Sequence, residues 1–271
     1  MRARKRFAQH FLEATWVQKL VVALDLQPAD SVVEIGPGKG ALTRPIAARA
    51  ARVLAVEIDR DLASILESQA MGNVTVITGD VLTVDLDAAI RQWIGDPTDS
   101  TRVRVVGNLP YNVSSPILFR LLELAPASGL HDATLMLQKE VADRLVARIG
   151  TSDYGVLTML TALRADVTRI LSLPPGAFRP APKVHSAVVR LTFRPSPVSI
   201  GNEELFVRMV RSIFTQRRKT LLNALKPLAV DLKRDAAAAL ASAGIDSMRR
   251  PETLSMADAA ALGRAFETPG S

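Results

Sequence analysis

The sequence predicts an α/β protein, in which an open and mostly parallel sheet with helices on both faces is followed by a small all-helical domain. Short runs of β-branched residues alternate with segments of helical spacing, which is the pattern of βαβ units. A glycine-rich turn at residues 36–40 separates the first such run from a helix. After the proline-containing segment 194–197 the sequence changes to helix-forming residues with alanine runs. We therefore expect one domain over residues 1–197 and another over residues 198–271.

Composition excludes several kinds of chemistry. The chain of 271 residues is 48% hydrophobic and 23% charged, which is typical of a globular protein. No apolar run reaches the roughly 18 residues of a membrane span, and the basic amino terminus lacks an apolar signal core, so we expect a cytoplasmic protein with no membrane partner. The absence of cysteine excludes disulfides, thiolate zinc sites and cysteine nucleophiles. The three histidines are scattered, so we expect no metal centre.

Net charge indicates a polyanionic partner. The charge is +7 and the pI is about 10.1, which favours nucleic acid, although a globular protein can also be basic without binding one. A charge run is usually a solvated surface, but a cluster of three cations near the start of a helix opposes the helix dipole, and this small local cost makes a phosphate contact more credible here than in an average charge run. The candidate phosphate contacts are Arg4, Lys5, Arg6, Arg217, Arg218 and Lys219.

A pocket for an adenosine-containing cofactor is predicted at the ends of the first strands. The strand at residues 31–35 leads into Gly-Pro-Gly-Lys-Gly at residues 36–40, where glycine lets the backbone approach a ligand closely. The spacing differs from the dinucleotide pattern Gly-x-Gly-x-x-Gly, so a pyrophosphate cofactor is disfavoured. The next strand ends at Glu57, whose carboxylate can accept hydrogen bonds from both ribose hydroxyls; the alternative is a solvated strand end or a helix-capping acid. For Asp59 we expect a solvated strand end or a helix-capping acid.

A third strand, at residues 74–78, is followed by Asp80. Its carboxylate can accept a hydrogen bond from an exocyclic amine and so select adenine. Alone, Asp80 could equally be a turn residue. With Gly36 and Glu57 on successive strand ends, it forms part of one predicted pocket.

The loop Asn-Leu-Pro-Tyr at residues 108–111 is the predicted centre of the chemistry. It follows the β-branched run 103–107 and precedes Ser-Ser-Pro at residues 114–116, a helix-start signal. The loop therefore lies at the carboxyl end of a strand, which is the edge of an open α/β sheet where ligands bind.

The remaining periodicity completes the prediction. Phe178 lies in a proline-rich connection and is either a core residue or a platform on which a base stacks. Ser255 is a plausible cap for the last helix. Further helices are expected at residues 16–26, 116–124, 138–149, 205–214, 220–225, 236–243 and 256–266, and further strands at residues 133–137, 167–173 and 186–193.

Taken together, these residues resemble the KsgA family of small-subunit ribosomal RNA dimethyladenosine transferases over nearly the whole chain. The family usually has asparagine where this chain has His10, whose geometry and pH response differ from those of an amide. The glycine motif alone is common to many methyltransferases, but the set in this order is specific. The motifs are Gln-His-Phe-Leu at 9–12, Glu-Ile-Gly-Pro-Gly at 34–38, Glu-Ile-Asp at 57–59, Gly-Asp-Val at 79–81, Asn-Leu-Pro-Tyr-Asn at 108–112 with Ser-Ser at 114–115, Gln-Lys-Glu-Val at 138–141, and Phe178 with Pro-Ala-Pro-Lys-Val at 180–184 and Ser186.

The resemblance implies a Rossmann-like class I methyltransferase that uses S-adenosylmethionine, releases S-adenosylhomocysteine and dimethylates N6 of two adjacent adenines near the 3′ end of 16S rRNA. The implied partner is small-subunit rRNA within a 30S assembly intermediate, and we expect a monomer. Lys183 joins the RNA contacts. The implied cofactor residues are His10, Leu12, Gly36, Gly38, Glu57, Ile58, Asp80, Val81 and Asn108. The implied catalytic residues are Asn108, Leu109, Pro110, Tyr111 and Phe178.

The loop chemistry suits an adenine amine, which is a poor nucleophile because its lone pair is delocalised into the ring. Hydrogen bonds to the Asn108 side-chain oxygen and to the Asn108 or Leu109 carbonyl would favour a pyramidal nitrogen and stabilise its growing charge. Pro110 fixes the backbone, and Tyr111 offers a face to the base.

Three other functions are weighed against this one. An Erm-type 23S rRNA adenine methyltransferase would use the same kind of cofactor pocket. The Asn-Leu-Pro-Tyr motif and the long helical tail favour an enzyme that acts on small-subunit rRNA instead. A mainly non-catalytic assembly factor for the small subunit is a second alternative. A nicotinamide oxidoreductase is disfavoured by the glycine spacing.

Overall fold

The computed structural model of the chain describes residues 10–95 and 102–267. It divides the chain into two compact units, of which the first combines Met1–Ala142 with Asp166–Arg194 and the second combines Asp143–Ala165 with Pro195–Ser271. Segment 143–165, which we expected in the first domain, therefore belongs with the C-terminal helices. Its Tyr154 explains this grouping, since the hydroxyl donates to the Leu254 carbonyl at 2.9 Å and the ring meets Phe214 edge-on.

The secondary structure follows the predicted alternation. The strands are β1 (Phe11–Leu12), β2 (Ser31–Ile35), β3 (Arg52–Glu57), β4 (Val74–Thr78), β5 (Val103–Asn108), β6 (Leu130–Gln138), β7 (Ala165–Leu173), β8 (Phe178–Arg179) and β9 (Ser186–Phe193). The helices are α1 (Ala14–Leu24), α2 (Thr43–Ala47), α3 (Arg60–Glu67), α4 (Leu86–Ile94), α5 (Ser114–Ser128), α6 (Lys139–Leu145), α7 (Val156–Ala162), α8 (Glu203–Thr215), α9 (Leu221–Leu232), α10 (Ala236–Ser242) and α11 (Met256–Glu267).

The sheet of the first unit has seven strands in the order β4-β3-β2-β5-β6-β9-β7. The first five strands in this order, from β4 across β3, β2 and β5 to β6, pair in parallel. Strand β9 runs antiparallel to β6. The predicted open, mostly parallel sheet is therefore confirmed. The strand order reverses between β2 and β5, and the carboxyl ends of these two strands flank the crevice where such sheets bind ligands.

Both faces of the sheet are covered. Val32, Val53 and Val106 belong to a buried cluster with residues of α1, α2 and β8. Their neighbours Val33 and Leu54 are equally buried, although successive side chains of a strand point to opposite faces. The central strands are thus apolar on both sides, as expected of a parallel sheet between two layers of helices.

A second, two-stranded sheet pairs β1 antiparallel to β8, with Leu12 opposite Phe178. Beside it, the Glu13 N–H donates to the Ala177 carbonyl at 2.9 Å. These few bonds fix the amino-terminal segment of the described chain against the connection between β7 and β9.

A buried ionic network lies at the amino end of the central strands. The Arg104 guanidinium on β5 donates to Asp132 on β6 at 2.7 Å and to Asp30, just before β2, at 3.0 Å. A further donor of Arg104 reaches the Asp25 carbonyl at 3.0 Å. The guanidinium is fully paired, which a buried charge requires.

The second unit is helical, as predicted for residues beyond 198. Helix α8 packs on α9, and α10 packs on α11. Ser255 caps α11, since its hydroxyl accepts the Asp258 N–H at 3.0 Å while its own N–H donates to the Asp258 carboxylate.

None of the helices in residues 10–95 and 102–267 combines the length and apolar character that a membrane crossing requires.

Removing the Arg104 charge should destabilise the first unit strongly. Arg104→Ala removes the closest ion-pair partner of two buried carboxylates and leaves Asp30 only the ion pair with Arg102 at 3.3 Å and Asp132 only that with Arg190 at 3.8 Å. We expect the variant to lower the free energy of unfolding by about 3 kcal/mol. Urea unfolding followed by tryptophan fluorescence measures this, because both tryptophans, Trp16 and Trp93, lie in the first unit. The control is Arg91→Ala, which breaks an exposed pair with Asp87 and should cost less than about 1 kcal/mol. Equal losses in the two variants would contradict the role given to the network.

Candidate active site

Two adjoining cavities lie at the carboxyl ends of the strands in the first unit. The first is lined by residues of the amino-terminal segment, of the glycine turn and of the loop after β5, and the second by the ends of β3 and β4 and the start of α5. Gly36, Ile58 and Pro110 line both. The predicted pocket residues are therefore brought together, the first cavity holding His10, Leu12, Gly36, Gly38, Glu57, Ile58, Asn108, Leu109, Pro110 and Tyr111, and the second holding Asp80 and Val81.

Glu57 organises the glycine turn. Its Oε2 accepts the Gly38 N–H at 2.9 Å, and its Oε1 accepts the Asp59 N–H at 2.9 Å. The carboxylate is 4% exposed, and each oxygen keeps a lone pair for a further donor. The residue thus has the acceptor capacity that a pair of ribose hydroxyls needs, and the ribose role stays a prediction.

The glycine turn depends on the absence of side chains. Gly36 and Gly38 have φ values of 68° and 58°, in the left-handed region that favours glycine. A Cβ atom at Gly38 would lie 3.3 Å from the Phe11 ring. The amino-terminal segment therefore packs directly on the turn, and any side chain at Gly38 would push it away.

Two acids near the turn have distinct roles. Asp59 caps α3, since its carboxylate accepts the N–H groups of Asp61 and Leu62, so of the two roles expected for it the structure shows the helix cap and not the solvated strand end. One carboxylate oxygen of Asp80 accepts a hydrogen bond from the Leu82 N–H at 2.9 Å, as expected of a turn residue. Asp80 also lines the second cavity. Both expectations for Asp80 are thus compatible with its position, and adenine selection stays a prediction.

Glu34 is a site residue whose role the sequence did not suggest. It lines the first cavity and is 2% exposed, and its Oε2 has no hydrogen-bond partner among the residues described. Burial raises the pKa of Glu34 from 4.5 to about 7; the Thr43 hydroxyl opposes this shift, and the Glu57 charge adds to it. An unsatisfied buried carboxyl at a cavity wall suits a cationic ligand.

The loop after β5 presents polar atoms to the first cavity. Asn108 ends the strand, and its Nδ2 donates to the His10 carbonyl at 2.9 Å, so its Oδ1 remains as an acceptor. Leu109 is 2% exposed, so its side chain serves the core and only its backbone is offered to a ligand. The Tyr111 hydroxyl is 2.6 Å from the Ser186 hydroxyl, and the imidazole of His10 stacks on the tyrosine ring.

Phe178 occupies the first of the two positions considered for it. Its side chain is 1% exposed and packs in the buried cluster with residues of α1 and the sheet. The ring therefore has no open face on which a base could stack in this structure, and the ring contact of Tyr111 is with His10 instead. The stacking role of Phe178 stays a prediction that would require its surroundings to move.

The predicted phosphate contacts differ in their exposure and in their hydrogen bonds. Arg4, Lys5 and Arg6 lie outside the described residues, and Lys183 is exposed in the loop before β9. Arg217 is half-buried and donates to the carbonyls of Ser152 and Thr151, while Arg218 and Lys219 are exposed.

The cluster lies between two helices: it directly precedes α9, whose N-cap is Thr220, as predicted, but the helix before it also bears on the reasoning from charge. The cluster follows the carboxyl end of α8, which ends at Thr215 and where cations are favourable. At the start of α9, the N–H of Leu221 donates to the Arg249 carbonyl at 2.7 Å and that of Leu222 donates to the Ser247 carbonyl. The first amides of α9 are therefore already satisfied from within the second unit.

The fold and site together define a class of protein. A mostly parallel sheet, a glycine turn held by an acid at the end of the neighbouring strand, and an Asn-Leu-Pro-Tyr loop across the crevice are the features of a Rossmann-like methyltransferase. The chain belongs to the ribosomal RNA adenine dimethylase family, whose model matches residues 1–262.

Named relatives agree with this assignment over the whole chain. A protein named ribosomal RNA small subunit methyltransferase A from Geobacter metallireducens is 42% identical, covering 100% of this chain and 98% of its own. Its namesake from Myxococcus xanthus is 44% identical, covering 98% and 92%. A dimethyladenosine transferase from Plasmodium falciparum superimposes with a TM-score of 0.75, at 26% identity over 93% and 96% of the two chains. The 23S rRNA methyltransferase ErmE gives 0.64, at 28% identity over 95% and 100%.

The cofactor of this family is S-adenosylmethionine, and the residues present fit it. The ligand is a cation at its sulfur and its amino group, which matches the unsatisfied Glu34 carboxyl, and its ribose matches the free lone pairs of Glu57. The exposed side chain of Ile58 and the carboxylate of Asp80 offer an apolar face and an acceptor for adenine. Among the described residues no group of histidine and acidic side chains could hold a metal ion.

Substituting Glu57 should weaken cofactor binding. Glu57→Gln replaces one carboxylate oxygen by an NH2 group that faces a backbone N–H, so the glycine turn loses one hydrogen-bond acceptor. The side chain also loses its negative charge, so the ribose hydroxyls would meet a weaker, neutral acceptor. We expect S-adenosylmethionine to bind about 10- to 100-fold more weakly in calorimetry. Glu67→Gln, which changes an exposed residue of α3, is the matched control. Unchanged affinity in Glu57→Gln would contradict the role.

The raised pKa of Glu34 predicts a pH dependence of stability. The folded state holds the proton more tightly than the unfolded chain, so this group favours folding below pH 4.5, and that contribution is lost as pH rises through about 7. Glu34→Gln cannot ionise. We therefore expect its free energy of unfolding, relative to the unmodified chain, to rise by about 3 kcal/mol between pH 4.5 and pH 8. Urea unfolding at both pH values measures the change, and a pH-independent difference would contradict it.

Proposed function

We propose that the chain transfers two methyl groups from S-adenosylmethionine to the exocyclic N6 of each of two adjacent adenines near the 3′ end of small-subunit rRNA. Membership of the adenine dimethylase family and relatives named for the small subunit support this reaction. The observation that carries the proposal is the orientation of Asn108 at the end of β5, beside the cofactor cavity.

The Asn108 side chain is set to accept a hydrogen bond. Because Nδ2 is used by the His10 carbonyl, the amide plane is fixed and Oδ1 is the atom left for a ligand. An acceptor suits the NH2 group of adenine, whose nitrogen must become pyramidal as it attacks. The same oxygen then stabilises the positive charge that grows on N6.

The second acceptor comes from the backbone before Pro110. The Pro110 carbonyl accepts the Val113 N–H at 3.1 Å, and the Tyr111 carbonyl accepts the Ser114 hydroxyl at 3.1 Å. Those two carbonyls are engaged in starting α5, so the Asn108 or Leu109 carbonyl is the better candidate. A once-methylated amine has a single N–H left, so one of the two acceptors must be dispensable in the second transfer.

Tyr111 would hold the base by stacking. Its ring lines the first cavity, and its hydroxyl is tied to Ser186. Stacking on one aromatic ring is worth about 1–3 kcal/mol, comparable with the cost of unstacking a base, so the target adenine should be extruded or single-stranded.

S-adenosylmethionine supplies an activated methyl group on a positively charged sulfur, so the protein needs neither a strong acid nor a strong base. The residues of the chain position the partners and exclude water. Glu57, Gly36 and Gly38 would hold the ribose and methionine parts, Ile58, Asp80 and Val81 the adenine, and His10 and Leu12 would cover the cofactor.

The RNA would be positioned by exposed cations. Lys183, Arg218 and Lys219 are exposed in the structure. Arg4, Lys5 and Arg6, which lie outside the described residues, are proposed as contacts from the sequence alone. Such contacts make binding salt-dependent without reading sequence. Arg217 remains a proposed phosphate contact, although its guanidinium also donates to two backbone carbonyls. A 30S assembly intermediate as the bound form of the RNA, a cytoplasmic location and a monomeric enzyme belong to the same proposal.

A large-subunit target is the second candidate, because ErmE shares the fold. Offering the purified chain both ribosomal subunits with labelled cofactor distinguishes the two. We expect label in small-subunit RNA, found by mass spectrometry as dimethyladenine at two adjacent positions. Transfer only to large-subunit RNA would overturn the proposal.

Removing the Asn108 amide should abolish transfer and spare binding. Asn108→Ala removes an acceptor that acts mainly in the transition state, so we expect the single-turnover rate to fall about 100- to 1,000-fold. The RNA dissociation constant, measured by filter binding, should change less than about threefold. Lost RNA binding with unchanged chemistry in the bound complex would contradict the catalytic role and favour an assembly factor.

A further inference from the structure

His10 links three parts of the candidate active site. Its imidazole lies on the Tyr111 ring, with the ring centroids 5.8 Å apart and the planes inclined by 25°. Its Nδ1 lies 2.7 Å from the Pro180 carbonyl oxygen, which can only accept, so Nδ1 carries the proton. Its own carbonyl accepts from Asn108. Side chain and backbone of one residue thus contact both the predicted stacking ring and the predicted acceptor.

The Tyr111 ring is held at its edge as well as on its face. The hydroxyl is 2.6 Å from that of Ser186, the first residue of β9. Burial raises the pKa of Tyr111, and the Ser186 bond opposes this only in part, so the phenol stays neutral at physiological pH. With its edge on Ser186 and one face under the imidazole, the ring has a single plane available to it.

The arrangement does not require His10 to be a ligand of the cofactor alone. We propose that His10 is a positioning residue for the target base: it fixes the plane of Tyr111, so that adenine stacks on the other face of that ring with its amine toward Asn108. This inference rests on the proposed function for its substrate, but the contact between the two rings is tested without any substrate.

The opposite interpretation is that the imidazole occupies the place of the base and must leave before adenine enters. Departure would break the bond to Pro180 and would disturb the one between the His10 carbonyl and Asn108, the residue that the reaction needs oriented. Antiparallel pairing of the next two residues with β8 further restrains the segment. These bonds favour a fixed support over a displaceable plug.

Three variants separate the ring from the hydrogen bond. His10→Phe keeps an aromatic face and loses the Nδ1 donor, His10→Asn keeps a donor and loses the ring, and His10→Ala loses both. His131→Ala, at an exposed position near the amino end of β6, is the matched control.

The first measurement needs no RNA. The chain has two tyrosines, so labelling with 3-fluorotyrosine gives two fluorine resonances, and Tyr154→Phe assigns them. Tyr154 is buried in the second unit and serves as the internal reference. We expect the Tyr111 resonance to shift in His10→Asn and His10→Ala and to stay near its original position in His10→Phe and His131→Ala. An unchanged Tyr111 resonance in His10→Ala would overturn the inference.

The second measurement is the single-turnover rate of methyl transfer with cofactor and RNA both saturating. We expect a fall of about tenfold in His10→Asn and His10→Ala and recovery to within about threefold in His10→Phe. Because the cofactor is saturating, a loss of the cofactor contact proposed for His10 does not by itself lower this rate. A faster rate in His10→Ala would establish the plug and overturn the inference. So would weakened cofactor binding with an unchanged saturated rate. If the unmodified chain fails to methylate adenine in either subunit, the proposed function fails, while the fluorine result still decides the ring contact.

Discussion

The bond pair of the Glu57 carboxylate is the interaction on which the candidate active site depends. One buried side chain accepts the N–H of Gly38 and that of Asp59, so it holds the glycine turn and the start of α3 together. A buried charge persists only where such bonds replace water. The turn is therefore shaped before a ligand arrives, and binding need not order it. In the neighbouring Glu34 carboxyl, Oε2 has no hydrogen-bond partner among the described residues, and burial raises its pKa to about 7.

The amino-terminal segment joins this pocket to the loop that would carry the chemistry. Phe11 packs over Gly38, and His10 contacts Asn108 and Tyr111. The residues proposed to bind the cofactor and those proposed to meet the base thus share one wall, made by a stretch of chain that pairs with β8. Positioning of two reactants by one structural element is what a transfer with a preactivated methyl group requires.

Local pattern predicted much of the fold, and tertiary contact decided the rest. The strands Ser31–Ile35, Val74–Thr78 and Ser186–Phe193 begin and end as predicted, because β-branched runs end at glycine or polar turns. Short helices such as α3 and α7 carry too few turns for their periodicity to stand out. The burial of Phe178 and the contact of His10 with Tyr111 join residues far apart in sequence, which periodicity does not encode. The hydrogen bonds from the Arg217 guanidinium to the carbonyls of residues 151 and 152 likewise join distant parts of the sequence.

The Arg104 network gives the sheet two ends with different physical character. At the amino end, a guanidinium 3% exposed is enclosed by carboxylates of the neighbouring strand and loop, and removing one partner from this network carries a cost in folding. At the carboxyl end, the strands finish in turns whose atoms face cavities. Energetic effects at well-separated sites add independently. A substitution in the loops at the carboxyl end can therefore alter the cavities without weakening the ion pairs that hold the opposite end of the sheet together.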